Sequence, residues 1–519
     1  MMTCLEETSV DSLLWEQEPN NLVILALAHG AVLYPTRVAV QDENSALTYA
    51  ELFQAVHSLA SQLQPYRGQA VGIFMDNSIS WMIADLAGAF AETIVVPLPL
   101  FFSAEQLLHT AHDAGLKMLL TLEGMPILAL YQSAGLLNAN PQAWHDASGQ
   151  HKVGMYALSN PYPVAFPKNT AKVTYTSGTT GTPKGVCLSA DTMAQVANSL
   201  ATASWASLRD KHFCVLPLST LLENIAGIYT PLLVGTSTTL LPLNKLGLTG
   251  SSTFQAQLLL AQLKQHQITT AVLTPELLYG LVMHQESSPT SLPDLRFIAV
   301  GGASVSPRLL KRAEALGLPV FEGYGLSECG SVVALNTLRH RKPGSVGKPL
   351  QHVRVNFAPD GEIIVHYPAM QGYLGGATQA AQSIYTGDIG HLDADGFLHI
   401  TARKKNVFIT SFGRNVAPEW VERELCLSPS IHQAAVFGEA KPWNTAVLVV
   451  DAQATDSAID ANLHEINQTL PDYAQVQHWI RASRPFTLAN GLTTSNGRIK
   501  RAAIQATYET QLNALYGEV

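Results

Sequence analysis

The sequence predicts an α/β protein: a large N-terminal domain of α/β layers with a small β-region, followed by a small α+β C-terminal domain. Three observations predict it. Short apolar runs ("AVGIF", "TIVVPLPL", "LKMLLT") alternate with helix-patterned segments in the first half of the chain, as parallel strands with crossover helices do. After about residue 340 the pattern turns to Gly- and Asp-rich turns between short alternating runs such as "GEIIVHYP" and "GFLHIT", which predicts antiparallel strands. The stretch from "NVFIT" to the end, about 110 residues, is itself domain-sized.

Each element has a local reason. The acidic start "MMTCLEETSVDSLLWEQEP" lacks a basic and an apolar region, so no signal peptide is expected. "NLVILALAHGAVLYP" is too short to span a bilayer and is broken by His29 and Gly30. "ALTYAELFQAVHSLASQL" opens on Thr48-x-x-Glu51, a capping box, and continues at helical spacing. "SWMIADLAGAFA" and "AEQLLHTAHDA" supply helices between the first strands, and the rhythm returns in "ITTAVLTPELLYGLV" and "LRFIAVGGASVSPRLLKRAEALGLPVFEGYG". No repeat period appears.

Composition bounds the function. The chain has 519 residues and is 47% hydrophobic, enough for several structural units. Lys and Arg total 31 against 40 Asp and Glu, a formal charge of −9 without the basic footprint of a nucleic-acid binder. Cys4, Cys187, Cys214, Cys329 and Cys426 are scattered with no CxxC pair. Reduced thiols in a cytoplasmic protein are expected, not a disulfide frame or zinc site.

One stretch carries chemistry on its face. "VTYTSGTTGTPKGVCLS", Val173 to Ser189, has no large apolar side chain from Thr176 to Gly185. Val173 and Tyr175 alternate as a strand would, Gly178, Gly181 and Gly185 let the backbone approach a ligand, and Ser189 can cap the helix that follows. The expected order is strand, glycine-rich hydroxyl loop, lysine, helix. Backbone N–H groups, hydroxyls and Lys184 then form an anion cradle. The Walker pattern does not fit around Lys184.

Taken with later stretches, this loop resembles the adenylate-forming, AMP-binding superfamily, and most resembles its medium- and long-chain fatty acyl-CoA synthetases. "GYGLSE" (Gly323–Glu328) resembles a second signature, with Ser327 where threonine is commoner. "YTGD" (Tyr385–Asp388) resembles a third, "ITARKKNVFITSFGRNVAPEWVE" a hinge motif and "GLTTSNGRIKR" a C-terminal lysine motif. The resemblance implies a nucleotide-binding domain over 1–402, a hinge at 403–406 and a mobile C-terminal domain over 407–519. It implies that Thr176, Ser177, Gly178, Thr179, Thr180, Gly181 and Lys184 hold the ATP phosphates. Gly301, Gly302 and Ala303 then flank one adenine face and Tyr324 the other. Ser327 contacts the α-phosphate or substrate carboxylate, Glu328 holds Mg²⁺, Asp388 takes the ribose hydroxyls, Arg403 contacts the nucleotide, and Lys405 is the pivot.

The implied substrate is a fatty acid or other carboxylate, with CoA as acceptor or a carrier protein as the alternative. In "PLSTLLENIAGIYTPLLVG", Leu221, Leu222, Ile225, Ile228, Leu232 and Leu233 suit an acyl tunnel, and equally suit a buried helix. Four positions depart from the family pattern: Ala190, Ala402, Phe412 and Arg498, the last where the family carries its adenylation lysine. Lys500 is the alternative for that role, because in an extended "GRIKR" residues 498 and 500 share a face about 6–7 Å apart. An active ligase and a catalytically weakened homologue that binds nucleotide and acyl group both remain open.

Overall fold

The computed structural model describes residues 21–517 except 139–140, 161–162, 178–182, 250–252, 304, 367–369, 377–382, 488–489 and 494–497. Two large sheets organise the first 350 residues. In the nine-stranded sheet, the parallel run is Val38–Gln41, Ser237–Leu240, Lys211–Cys214, Thr270–Leu273, Phe297–Val300 and Val320–Tyr324. In the eight-stranded sheet, Met118–Thr121, Ala70–Phe74, Ile94–Pro97 and Lys172–Ser177 are parallel, and antiparallel strands flank them.

The helices Leu22–Leu33, Tyr49–Leu63, Ile79–Phe90 and Ala190–Ala203 form the layer both sheets share. Their buried residues, among them Leu27, Leu59, Trp81 and Val196, belong to one cluster with Val71 and Ile73 of one sheet and Val40 and Leu240 of the other. Separate clusters cover the outer faces, around Leu107 and Tyr131 on one side and Leu278 and Leu309 on the other. Strands buried on both faces read as continuous apolar runs, which is why "AVGIF" was legible. The Thr48 capping box forms, with Thr48 N donating to Glu51 Oε2 at 2.8 Å.

Arg354–Phe357, Glu362–His366, Ser383–Leu392 and Leu398–Arg403 form the expected antiparallel β-region. The C-terminal unit packs helices Pro418–Leu425, Asp456–Asn467 and Arg501–Thr507 on the sheet Ile431–Phe437, Asn444–Val450, Val476–Arg481, around clusters of its own.

The structure corrects one local expectation. A strand, Pro183–Leu188, precedes the helix that Ser189 caps, so the lysine stands on a strand and does not lead straight into the helix. Val186, Cys187 and Leu188 are fully buried, and that apolar run draws the segment back along Lys172–Ser177 as a hairpin partner. Ser189 still caps the helix, its hydroxyl accepting from Thr192 N at 3.1 Å.

Candidate active site

The hairpin pairs Thr176 with Lys184 and Ser177 with Pro183, so an exposed Lys184 stands at the root of the loop. Gly178, Thr179, Thr180, Gly181 and the Ser177 side chain lie outside the described residues. Gly185 serves packing: a Cβ there would lie 2.9 Å from Val173 Cγ1 and 3.2 Å from Leu374 Cβ.

At the base of the same strand lies a buried polar network. Lys172 Nζ donates to Asp85 Oδ1 at 2.6 Å, to Tyr229 OH at 2.9 Å and to Asn224 Oδ1. Asn224 Nδ2 and Tyr229 OH each donate to Asp85 Oδ2 at 3.0 Å. Asn224 and Tyr229 bracket a π-helical turn, Ile225–Tyr229, inside the apolar helix of the implied acyl site. Such turns recur at functional sites. Leu221, Ile225, Ile228 and Leu232 are buried in the core, whereas Leu222 and Leu233 are only partly buried.

Adjacent parallel strands bring the next motifs together at their carboxyl ends, the usual ligand edge of such sheets. Val300 pairs with Glu322, which puts Gly301, Gly302 and Ala303 beside Gly323 and Tyr324. Gly302 has φ +88° and open space at its Cβ position, while Ala303 is exposed. Gly325 admits no side chain, since a Cβ would lie 1.6 Å from Ser331 O. Ser327 and Glu328 form a 3₁₀ turn beyond it.

Tyr324 OH donates to Asp388 Oδ2 at 2.8 Å, and Arg403 Nε lies 3.1 Å from Asp388 Oδ1. Burial pushes the Asp388 carboxyl up, and the Arg403 charge and Tyr324 hydroxyl oppose that. Each oxygen keeps a lone pair for a ribose hydroxyl. Tyr373 OH donates to Glu328 Oε1 at 2.8 Å, and Met370 N to Glu328 O at 2.8 Å. The Glu328 carboxylate, half-buried and oriented at one oxygen, offers the other to a hard cation, so the site fits Mg²⁺.

The C-terminal domain reaches this edge. Arg498 Nη2 donates to Gly302 O at 2.8 Å. Ile499 bridges Thr493, so the segment is extended as expected, but Lys500 is the residue before helix Arg501–Thr507. Among the described residues its side chain has no hydrogen bond or ion pair, and its backbone N–H donates to Leu492 O. Lys405 sits in a turn between anchors on different bodies. Lys404 Nζ holds Asp360 Oδ2 at 2.6 Å and Glu362 Oε2 at 2.7 Å, while Asn406 Nδ2 donates to Glu419 of the C-terminal helix. Phe412 is 74% exposed on the C-terminal domain.

Sequence reading missed Tyr373 and the Lys172 network. Tyr373 lies 45 residues from Glu328 in the chain and reaches it because Gly372–Tyr373 pairs with Pro183–Leu188. For the network the chain carries no local signal: Lys172 opens the strand Lys172–Ser177, and its partners lie 52 to 87 residues away.

The chain belongs to the AMP-binding enzyme family, which matches residues 27–374, with the AMP-binding enzyme C-terminal domain matching residues 405–519. By family it is an AMP-forming acid–thiol ligase. That class activates an acid to its acyl-adenylate and passes the acyl group to CoA, with ATP, Mg²⁺ and CoA as cofactors. The chain is 30% identical over 428 residues to a probable CoA ligase of Humulus lupulus, covering 76% of this chain and 79% of that one. It is 28% identical over 474 residues to a 2-succinylbenzoate–CoA ligase of Bacillus velezensis, covering 86% and 91%. A long-chain-fatty-acid–CoA ligase of Mycobacterium bovis is 31% identical over 248 residues, which is 42% of this chain and 41% of that one. The structure of O-succinylbenzoate coenzyme A synthetase from Bacillus subtilis with AMP superposes with TM-score 0.73 at 24% identity, covering 94% of this chain and 98% of that one. The fold and family expectations stand. Matches spanning most of the chain are to CoA ligases of several acids, so the comparisons carry the activity as far as a CoA ligase. Among the described residues no helix is long and apolar enough to cross a membrane.

Proposed function

We propose that this enzyme activates an apolar monocarboxylic acid, of the medium- or long-chain fatty type, and transfers it to CoA in the cytoplasm. One observation carries the substrate class. Leu222 and Ala226 of the π-containing helix and Ala299 of the strand leading into Gly301 are only partly buried, and each borders both large core clusters. They line the seam where the two cores meet, and Ala299 stands two residues before Gly301. An apolar tail in that seam extends core packing, at about 0.8 kcal/mol per buried CH₂. A substrate with a second carboxylate calls for a cation there, and Pro217–Gly235 contains no Lys or Arg.

In this reading the acid's carboxylate oxygen attacks the α-phosphorus of ATP, the bond to pyrophosphate breaks, and a mixed anhydride forms. Such chemistry rests on positioning and charge neutralisation. Ser327 and Arg498 orient the reacting oxygens, Lys184 and the hydroxyl loop hold the β- and γ-phosphates, and Asp388, Arg403 and Tyr324 fix the nucleoside. Glu328 holds Mg²⁺, which supplies charge neutralisation when bound. The C-terminal domain then turns about Lys405, the CoA thiol attacks the anhydride carbonyl, and AMP leaves.

The test is ATP–pyrophosphate exchange over a panel of fatty, aromatic, dicarboxylic and amino acids, followed by thioester formation with and without CoA. Fatty acids should support both steps. Exchange only with aromatic or dicarboxylic acids refutes the substrate class, and exchange without CoA transfer points to a carrier-protein acceptor. Leu222→Trp should shift preference to shorter chains, whereas a pure core role predicts lower stability at unchanged selectivity. A second reading, a weakened homologue that binds nucleotide and acyl group, is favoured by Arg498 and predicts no exchange with any acid.

A further inference from the structure

The helix Pro418–Leu425 belongs to the C-terminal domain, and its far end is pressed against the nucleotide-binding domain. Glu424 is 5% exposed and Ser306 is 1% exposed, and Ser306 Oγ donates to Glu424 Oε1 at 3.0 Å across the domain boundary. The same hydroxyl accepts from Arg308 N at 3.2 Å, capping helix Pro307–Ala315. A carboxylate of one domain therefore sits at the positive end of a helix of the other. Arg423, the neighbour of Glu424 in the helix, feels the charges of Glu424 and Glu322, and among the described residues its buried Nε has no hydrogen bond. Glu322 itself accepts from Val305 N at 3.2 Å, one residue before Ser306. Leu427, just past the helix, packs on the cluster that holds Leu309 and Leu310.

We propose that Glu424 on Ser306, with Arg423 and Leu427 beside it, is a clasp that holds the C-terminal domain in the adenylating arrangement and so sets the balance between the two half-reactions. The clasp lies apart from the atoms that react. Arg498 meets Gly302 O in the same arrangement, four positions before Ser306 in the chain. Releasing Glu424 strands no charge, because turning the domain away returns the carboxylate to water. The domain must break this contact to turn, so the clasp stabilises one arrangement at the expense of the other. Glu424 and Ser306 are positioning residues.

This inference rests on the acyl-CoA ligase reading, and the experiment separates the two. Glu424→Ala and Glu424→Gln are compared with the native enzyme in three measurements. These are single-turnover acyl-adenylate formation, thioester formation from supplied acyl-adenylate and CoA, and hydrogen exchange of peptides 305–316 and 418–427 without substrates. Loss of a charge-assisted hydrogen bond corresponds to about tenfold or more in an equilibrium. Glu424→Ala should therefore slow adenylation about tenfold, leave thioester formation unchanged or faster, and speed exchange in both peptides. Glu424→Gln, whose amide oxygen still accepts from Ser306, should fall between. In an active enzyme, parallel loss of both half-reactions, or no split between them, overturns the clasp. Unchanged exchange overturns it in any case. If the native protein performs neither half-reaction yet Glu424→Ala speeds exchange, the docking contact stands and the ligase reading falls.

Discussion

Lys172→Met is the most informative single change in the nucleotide-binding domain. Lys172 and Asp85 have side chains 2% and 0% exposed, with Nζ 2.6 Å from Oδ1. Burial lowers the Lys172 pKa and the Asp85 carboxylate opposes it. Removing the ammonium leaves Asp85 in a dry site without its cation, held among the described residues by Asn224 and Tyr229. Breaking one side of a buried pair costs about 3–5 kcal/mol. Asp85→Asn added to Lys172→Met removes the stranded charge while an amide oxygen still accepts from Asn224 and Tyr229, so the double variant should recover about half of the loss or more. The assay is urea unfolding followed by tryptophan fluorescence, since Trp81 and Trp144 are both buried in this domain. Because the chain has two domains with separate cores, the nucleotide-binding domain's transition is fitted by itself. The network also ties the π-turn to the strand Lys172–Ser177, which leads into the glycine-rich stretch. Residual Lys172→Met enzyme should show a raised KM for the acid and a smaller change in KM for ATP. A loss below about 1 kcal/mol, or no recovery in the double variant, refutes the argument that the pair is a tightly coupled buried unit.

Three further outcomes are expected. Arg498→Ala should lower adenylation about 100-fold, the scale of removing one preorganised donor, while Arg498→Lys keeps or raises it and Lys500→Ala changes little. Collapse in Lys500→Ala alone assigns the role to Lys500 instead. Lys405→Pro, which fixes φ near −65° between the Lys404 and Asn406 anchors, should leave adenylation intact and abolish thioester formation; acyl-CoA at the native rate refutes the pivot. Burial raises the Glu322 pKa to about 7, against hydrogen bonding from Val305 N and the Arg423 charge. The folded state then keeps a proton that the unfolded chain releases near pH 4.5, so this group lowers stability as pH rises from 4.5 to 7, by up to about 3 kcal/mol. Glu322→Gln should flatten that slope and be the more stable form at pH 8, which pH-resolved unfolding would register; an unchanged slope contradicts it.

Much of this enzyme was legible one segment at a time. The stretches "TSGTTGTPKG", "GYGLSE", "YTGD" and "ARKKN" each concentrate glycines, hydroxyls and charges where a core would want apolar groups, and that local conflict survives in the bare sequence. Strands such as Ala70–Phe74 announce themselves because both faces are buried, and the Thr48 helix because its cap is local. Three things were decided only by tertiary structure. The strand Pro183–Leu188 forms because its apolar residues find Lys172–Ser177 alongside, although a glycine-rich start reads as loop. Tyr373 becomes the partner of Glu328 through a two-residue pairing that no spacing rule encodes. Lys172, Asp85, Asn224 and Tyr229 are unremarkable where they stand in the chain, and only folding places them in one dry pocket. Motifs are read by proximity in sequence, whereas buried networks and domain contacts join residues 50 to 200 apart in this chain, between elements whose packing no local pattern specifies.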